Sequence, residues 1–290
     1  MMRCLACGAQ FARSGSGGGD CPACGVSAPE EDGFILYAPE LTASHDAFAP
    51  DSHDHLDAAH DGSFWFRERN RLIGDLLARH FPAACSVMEA GCGGGYVLAG
   101  LAKRFPALEL TGAEVYLSGL RHARRRAGRA RLIQMDARRI PFVEAFDVVC
   151  AFDVLEHIAE DEVALAAMAR AVKPGGGILL SVPQHPWLWS RADDLAHHKR
   201  RYRRKELAEK VRGAGLEIVF ETSFVSTLLA PMALQRLVGA RSEGYGGAEL
   251  ALPVWLDRLF GSALSLERGL IAAGARLPVG GSRFVVARRP

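Results

Sequence analysis

No stretch of this chain is long and apolar enough to cross a membrane as a helix. The longest uncharged apolar run toward the C-terminus, 222–235, is interrupted by Pro231 and falls short of the roughly 18 to 20 residues that a helical span requires. The start, Met1-Met2-Arg3-Cys4, lacks an apolar run followed by a small-residue cleavage site, so no secretory signal is expected and the cytoplasm is the expected compartment. An excess of charge is missing too. Lys and Arg number 35 against 33 Asp and Glu, a formal +2 that predicts no polyanionic partner by itself. With 49% hydrophobic and 23% charged residues, the composition excludes a disordered, collagenous or disulfide-scaffold chain. A globular chain of 290 residues remains, either one large domain with attachments or two domains.

Seven cysteines in a reducing compartment read as thiols or metal ligands. Four of them form two CxxC pairs, Cys4/Cys7 and Cys21/Cys24, each followed by glycine (Gly8, Gly25). Two residues between ligands let both thiolates of a knuckle converge on one tetrahedral ion, and the glycine permits the turn that points N–H groups at sulfur. The pattern predicts a zinc ribbon over 1–30 with structural zinc, since four thiolates leave no open coordination position. A disulfide pairing or a redox motif fits less well, because the first needs an oxidising compartment and the second a single CxxC in a βαβ unit. Ser14 to Gly19 reads as a flexible loop inside the ribbon. Cys85, Cys92 and Cys150 read as small residues in or near the core.

From Glu30 to Gly62 no period is evident, and the segment reads as linker. Its histidines (His45, His53, His55, His60) read as solvated rather than as metal ligands. Phe64 to Leu77 has apolar residues at near-helical spacing and predicts an amphipathic lead-in helix, so 31–80 forms linker plus helix. Strand and helix signals then alternate: 86–90, 108–113, 131–135, 146–152 and 178–182 as strands, with helices over 96–104, 117–127 and 160–172. Such alternation with short joins implies a parallel α/β sheet with helices on both faces, whose ligands bind beyond the carboxyl ends of the strands.

The first of these strands runs into Glu89-Ala90-Gly91-Cys92-Gly93-Gly94-Gly95-Tyr96. A glycine turn between strand and helix lets backbone approach a ligand, but Tyr96 stands where a dinucleotide fingerprint needs a small residue. The E-x-G-x-G-x-G pattern resembles the first motif of class I S-adenosylmethionine-dependent methyltransferases. The motifs after it keep that family's order: Glu114 at the end of the second strand, Asp136-Ala137 after the third, Phe152-Asp153-Val154-Leu155-Glu156-His157 after the fourth, and Lys173-Pro174-Gly175-Gly176-Gly177 before the fifth. The resemblance implies a Rossmann-like, doubly wound seven-stranded sheet with an antiparallel last strand. It implies S-adenosyl-L-methionine as cofactor, held by Glu89, Gly91, Cys92, Gly93, Glu114, Asp136, Ala137, Phe152, Asp153 and His157. In related subgroups, aromatic and arginine residues before the first strand cover the methionine end, which makes Trp65 and Arg69 contacts for its carboxylate. Read without the family, Glu114 and Asp136 are helix caps, and Glu156 caps or orients neighbouring backbone. His157 stands equally as a packed side chain, a cofactor contact or a base.

The implied reaction is in-line methyl transfer, for which alignment of an acceptor lone pair and exclusion of water are the main requirements. A hydroxyl acceptor would also benefit from a base near neutrality, and His157, His185 and His198 are the candidates. Pro183 to Leu207, with Trp187, Trp189 and the run His197-His198-Lys199-Arg200-Arg201-Tyr202-Arg203-Arg204-Lys205, reads as a substrate-facing lid. It resembles a segment of bacterial methyltransferases that carry the D-V-L-E-H motif. The expected substrate is a small or lipid-linked metabolite methylated at oxygen. Nucleic acid, read by the ribbon and the basic runs at 121–131 and 199–205, is the alternative, and a non-catalytic binding scaffold is a third reading. The methyltransferase core is expected over 81–222 with its final strand at 282–290. The apolar segment 223–281 is expected to be a helical insertion serving as lid, dimer interface or membrane-surface face, or simply packing on the sheet.

Overall fold

The computed structural model describes residues 1–12, 20–42, 63–238 and 253–290. The expected glycine-rich loop at 14–19 and His45, His53, His55 and His60 lie outside them, as does 239–252 of the insertion. At the N-terminus, β1 (Met2–Arg3) and β2 (Gln10–Phe11) pair antiparallel. They are anchored to the main body where Arg3 N donates to Pro141 O at 2.7 Å, and Met2 is buried against Phe142.

Residues 30–36, expected as linker, instead enter the main sheet. β3 (Glu30–Glu31) pairs antiparallel with β4 (Phe34–Leu36), and β4 lies parallel to β7 (Arg131–Gln134) with Ile35 opposite Ile133. The amide of Gln134 locks the junction by accepting from Ala38 N at 3.0 Å and donating to Ala38 O at 2.8 Å, all three groups buried. The sheet therefore has nine strands rather than seven.

Its centre comprises β5 (Ser86–Ala90), β6 (Glu109–Glu114), β7, β8 (Phe146–Phe152) and β9 (Val172–Pro183), all parallel. β10 (Glu217–Phe224) and β11 (Ser282–Arg288) complete it, with β11 antiparallel to both β9 and β10. The full order is β10-β11-β9-β8-β5-β6-β7-β4-β3. From β5 the chain winds outward through β6 to β7, then returns to the other side of β5 as β8. The order thus reverses between β5 and β8, the point in such sheets where ligands bind beyond the carboxyl ends.

Helix α1 (Phe64–His80) starts at Ser63, whose hydroxyl accepts from Trp65 N at 3.3 Å. Its face of Leu72, Ile73, Leu76 and Leu77 is buried, a contribution of roughly 1.5–3 kcal/mol per side chain. The helices α2 (Tyr96–Arg104), α3 (Leu117–Arg126) and α4 (Asp161–Ala171) form the crossovers. The short α5 (Arg191–Leu195) and then α6 (Arg204–Gly213) follow β9.

Of the insertion, α7 (Leu229–Val238) and α8 (Val254–Ala272) are described. α8 packs along α1: Asp257 accepts from Phe64 N at 2.9 Å and Arg67 at 2.6 Å, and Arg268 pairs with Glu68 at 3.0 Å and Asp75 at 2.5 Å. Its opposite face leaves Trp255, Leu259, Leu266 and Leu270 exposed.

Candidate methyltransferase site

The site is assembled at the carboxyl ends of β5, β6 and β8. After β5 the backbone turns through Gly91, Gly93 and Gly95 with φ of +73°, +48° and +77°, a region that side chains disfavour. Gly91 N and Cys92 N are both held by Ala113 O, at 2.7 and 3.0 Å. A Cβ at Gly95 would stand 2.8 Å from Ala123 Cα, so that glycine lets α2 and α3 approach, whereas a Cβ at Gly93 would meet nothing within 4 Å. Open space in front of a glycine turn suits a ligand lying on the backbone.

Glu114, the last residue of β6, accepts from Gly93 N at 2.9 Å and from Val115 N at 2.8 Å. It does not act as a helix cap, and its position at the mouth beside the turn fits a ribose hydroxyl acceptor. Glu89 lies beneath the turn, fully buried, with Oε2 lacking a hydrogen-bond partner. Burial pushes its carboxyl up to about 8, opposed by Arg69 and reinforced by Glu114. Cys92 and Cys150 are buried thiols, raised chiefly by desolvation, while Cys85 is exposed rather than core.

Trp65 and Arg69 do reach this centre from α1. The Arg69 guanidinium lies 5.1 Å from the Trp65 ring centre and 5.8 Å from that of Phe152, and it pairs with Asp153 at 2.5 Å. The pairing changes the expectation for Arg69, because a cofactor carboxylate there would share the guanidinium with Asp153. Arg69 Nε, buried and without a partner, is the donor left over. Asp153 itself has φ +55° and accepts from Ser181 Oγ at 3.2 Å, so the chain leaves β8 in a strained conformation at the centre of the site. Asp136 and Ala137 sit farther along the sheet. Asp136 caps the short turn that follows β7, accepting from Arg138 N at 2.8 Å and pairing with the Arg138 guanidinium at 2.8 Å, which matches the cap reading of this acid.

Glu156 departs from expectation. Its side chain is completely buried, and neither carboxylate oxygen has a hydrogen-bond partner, so it caps no backbone. Desolvation, with Asp153 nearby, raises this carboxyl well above its ordinary range. Only its main chain orients a neighbour, accepting from Lys199 N at 2.7 Å. His157 stands edge to face with His198, ring centres 4.7 Å apart. Burial and the neighbouring His198 depress His157 to about 4, which keeps it neutral near pH 7.

His198 is held by Asp193, whose Oδ1 lies 2.8 Å from His198 Nδ1 and also accepts from Arg201 Nε at 2.7 Å. With Nδ1 carrying the proton toward Asp193, Nε2 presents its lone pair. His185 does not join this pair: it tilts against Trp187 at 5.4 Å, and its charged neighbours are Arg201 and Arg283. Asp193 was not expected in the site. The only hint in the sequence is a pair of acids a few residues before His197-His198.

Part of each basic run is engaged by acids or carbonyls of the chain itself. Arg200 pairs with Asp161 at 2.8 Å, Arg201 with Asp193, and Arg204 with Glu221 at 2.5 Å; Arg121 pairs with Asp32 at 2.5 Å, and Arg129 donates to Phe105 O at 2.8 Å. Lys199, Arg203 and Lys205 of the second run are exposed.

In the ribbon, each knuckle closes alike: Gly8 N donates to Cys4 O at 3.0 Å and Gly25 N to Cys21 O at 2.8 Å, with φ of +79° and +72° at the glycines. Sγ atoms of Cys4 and Cys24 are 3.6 Å apart, and those of Cys7 and Cys21 3.7 Å. Thiolates about 2.3 Å from a tetrahedral ion stand about 3.8 Å from one another. The four sulfurs fit one zinc.

Fold and site together define a class I methyltransferase. Residues 87–176 match the family described as Methyltransferase domain. In Mycolicibacterium smegmatis, the protein named "Probable S-adenosylmethionine-dependent methyltransferase" is 32% identical over 162 residues, covering 54% of this chain and 60% of the relative. The ubiquinone biosynthesis O-methyltransferase of Azoarcus sp. is 30% identical over 179 residues, covering 52% of this chain and 73% of that protein. The phosphoethanolamine N-methyltransferase 2 of Haemonchus contortus, solved with S-adenosyl-L-methionine, shares the fold at TM-score 0.51 and 18% identity, covering 76% of this chain and 52% of that one. This chain belongs to the S-adenosylmethionine-dependent methyltransferase family. It spans 60% of the Mycolicibacterium relative's length.

Proposed function

We propose that this protein transfers a methyl group to a hydroxyl of a small or lipid-linked metabolite in the cytoplasm. The observation that carries the reading is the placement, at the carboxyl ends of the paired strands β5 and β8, of an open glycine turn held by Glu114 and of His157, which stands against an Asp193-oriented His198. S-adenosyl-L-methionine, when bound, supplies a methyl carbon already made electrophilic by its sulfonium.

The chain's own residues do the rest. The 91–95 turn carries the cofactor against backbone, Glu114 accepts from the ribose hydroxyls, and Asp136 and Ala137 border the adenine. Trp65 and Arg69 cover the methionine end, where Arg69 Nε remains free to donate. Phe152 and Trp65 exclude water from the transfer path. With no ion bound to it, His198 Nε2 accepts the acceptor's proton, with Asp193 stabilising the imidazolium. The exposed Trp187 beyond β9 gives an apolar part of the acceptor a surface to lie on. Zinc in the ribbon is structural, fixing knuckles that bury too little to fold alone. The outer face of α8 is the surface for a second copy of the chain.

Radiolabelled methyl transfer from S-adenosyl-L-methionine into phenolic, carboxylic and amine acceptor panels tests the reading. Label in base-stable ethers or esters supports oxygen transfer. Label only in amines, or only in RNA with steep salt dependence, contradicts it.

A further inference from the structure

We propose that Glu156, His157 and His198 form a binding site for a divalent first-row transition-metal ion beside the methyl-transfer centre. Its role in catalysis rests on the methyltransferase reading; its capacity to bind metal does not.

One ligand atom from each of the three side chains lies within 4.8 Å of the others. The donors come from two segments. Glu156 and His157 are neighbours on the short turn after β8, and His198 follows α5. Lys199 N donates to Glu156 O at 2.7 Å, so the backbone itself ties the two ligand-bearing segments together.

Two independent features point to a cation. The first is Glu156: a carboxylate with no exposed surface and no hydrogen-bond partner on either oxygen is costly unless a positive charge meets it. Arg69 and Arg201, the guanidiniums whose charge reaches Glu156, are each engaged by another carboxylate, Asp153 and Asp193. The second is the second sphere of His198. Metal-ligating histidines commonly donate the distal ring N–H to a carboxylate, which fixes the tautomer and turns the other lone pair to the ion. Asp193 stands in that relation to His198 at 2.8 Å and is itself fixed by Arg201 and by Ser190 N, the latter at 2.8 Å.

Two imidazoles and one carboxylate suit zinc, manganese, cobalt or iron better than magnesium, and they leave positions open for water or a substrate oxygen. A rotamer adjustment would bring the donors to about 2.0–2.2 Å from one ion. With the ion in place His198 is a ligand rather than a base. The acceptor hydroxyl would then lose its proton to solvent, and its oxygen, its negative charge stabilised by the ion, would form the O–CH3 bond as the S–CH3 bond breaks and S-adenosylhomocysteine leaves.

The test is equilibrium dialysis of the full chain against Zn2+, Mn2+ and Co2+ in turn, with bound metal counted by atomic emission and S-adenosyl-L-methionine binding measured on the same samples. With at least one of these ions, a second equivalent beyond the ribbon's is expected. It should persist in the Cys21→Ser/Cys24→Ser double variant and weaken at least tenfold in Glu156→Gln and in His198→Asn. His198 is partly exposed, so its variant guards against loss of folding in the buried Glu156 variant. No second equivalent with any of the three ions, or one that survives both substitutions, overturns the metal site. Cofactor binding without a second ion leaves the methyltransferase reading standing; a second ion without cofactor binding does the reverse.

Discussion

Asp193→Asn is the substitution whose effect the structure defines best. The Asp193 carboxylate is 1% exposed and receives His198 Nδ1 at 2.8 Å, Arg201 Nε at 2.7 Å, Ser190 N at 2.8 Å and Ser190 Oγ at 3.1 Å. The amide of asparagine keeps an acceptor for one of these donors but removes the charge opposite a buried Arg201. Breaking one partner of a buried pair costs about 3–5 kcal/mol, and we expect about 3 because the amide oxygen and the Gln184 carbonyl still accept from Arg201. For a domain of this size that is a fall in Tm of roughly 6–12 °C. Burial raises the Asp193 carboxyl, but hydrogen bonds from His198 and Arg201 outweigh it and hold the group well below the usual carboxylate range. A depressed folded-state value means the stabilisation is present above the unfolded value of about 3.9 and disappears as pH falls through the folded one. The gap between wild type and variant, followed by urea denaturation, should therefore be wide at pH 7 and begin to narrow only as pH falls below about 4, closing progressively toward the folded-state value. Asp194→Asn, which disturbs only a hydrogen bond from exposed Trp189, serves as control and should cost less than about 1 kcal/mol. An Asp193→Asn loss equal to the control's at pH 7 would refute the reasoning.

Three further outcomes follow from other parts of the molecule. Gly95→Ala should destabilise by about 1–2 kcal/mol from its left-handed backbone alone, and by more because the new Cβ meets Ala123 at 2.8 Å; an unchanged urea midpoint would contradict the close approach of α2 and α3. Glu89, raised to about 8 by burial, binds its proton more tightly folded than unfolded, so it should make stability fall as pH rises from about 5 to 8. Glu89→Gln should flatten that slope and gain on the order of 3 kcal/mol at pH 7, and a slope identical to wild type would show that Glu89 ionises normally. Zinc content should drop from one per ribbon to none in Cys21→Ser/Cys24→Ser, read with zinc present and the Glu156 cluster blocked by His198→Asn; retention would place the ion elsewhere.

Much of this architecture was legible in the sequence because its signals are local. A glycine turn between an apolar strand and a helix marks β5 and α2, and CxxC-Gly repeated twice marks the knuckles. What escaped depends on partners far along the chain. Glu30–Glu31 and Phe34–Leu36 are too short for alternation to show, and only pairing with β7 makes them strands. The arginine runs read as candidate surface because the sequence does not show Asp32, Asp161 and Glu221 folding back onto them. Glu156 was expected to cap backbone, as loop acids do; that it is sealed among packed residues with no donor follows from the way the segment after α5 closes over it. The charged contacts of α8 with α1 join residues about two hundred positions apart, beyond the reach of helical periodicity.

The central claim is that the glycine turn cradles S-adenosyl-L-methionine. Gly93 offers a probe whose side chain extends into open space rather than into protein, at a backbone cost of about 1–2 kcal/mol for its left-handed conformation, which is small enough to leave the fold in place. Titration calorimetry of the full chain should show one-site binding of S-adenosyl-L-methionine, abolished in Gly93→Arg while its circular dichroism stays that of the wild type. No binding by the wild type, or equal binding by a folded Gly93→Arg variant, would contradict it.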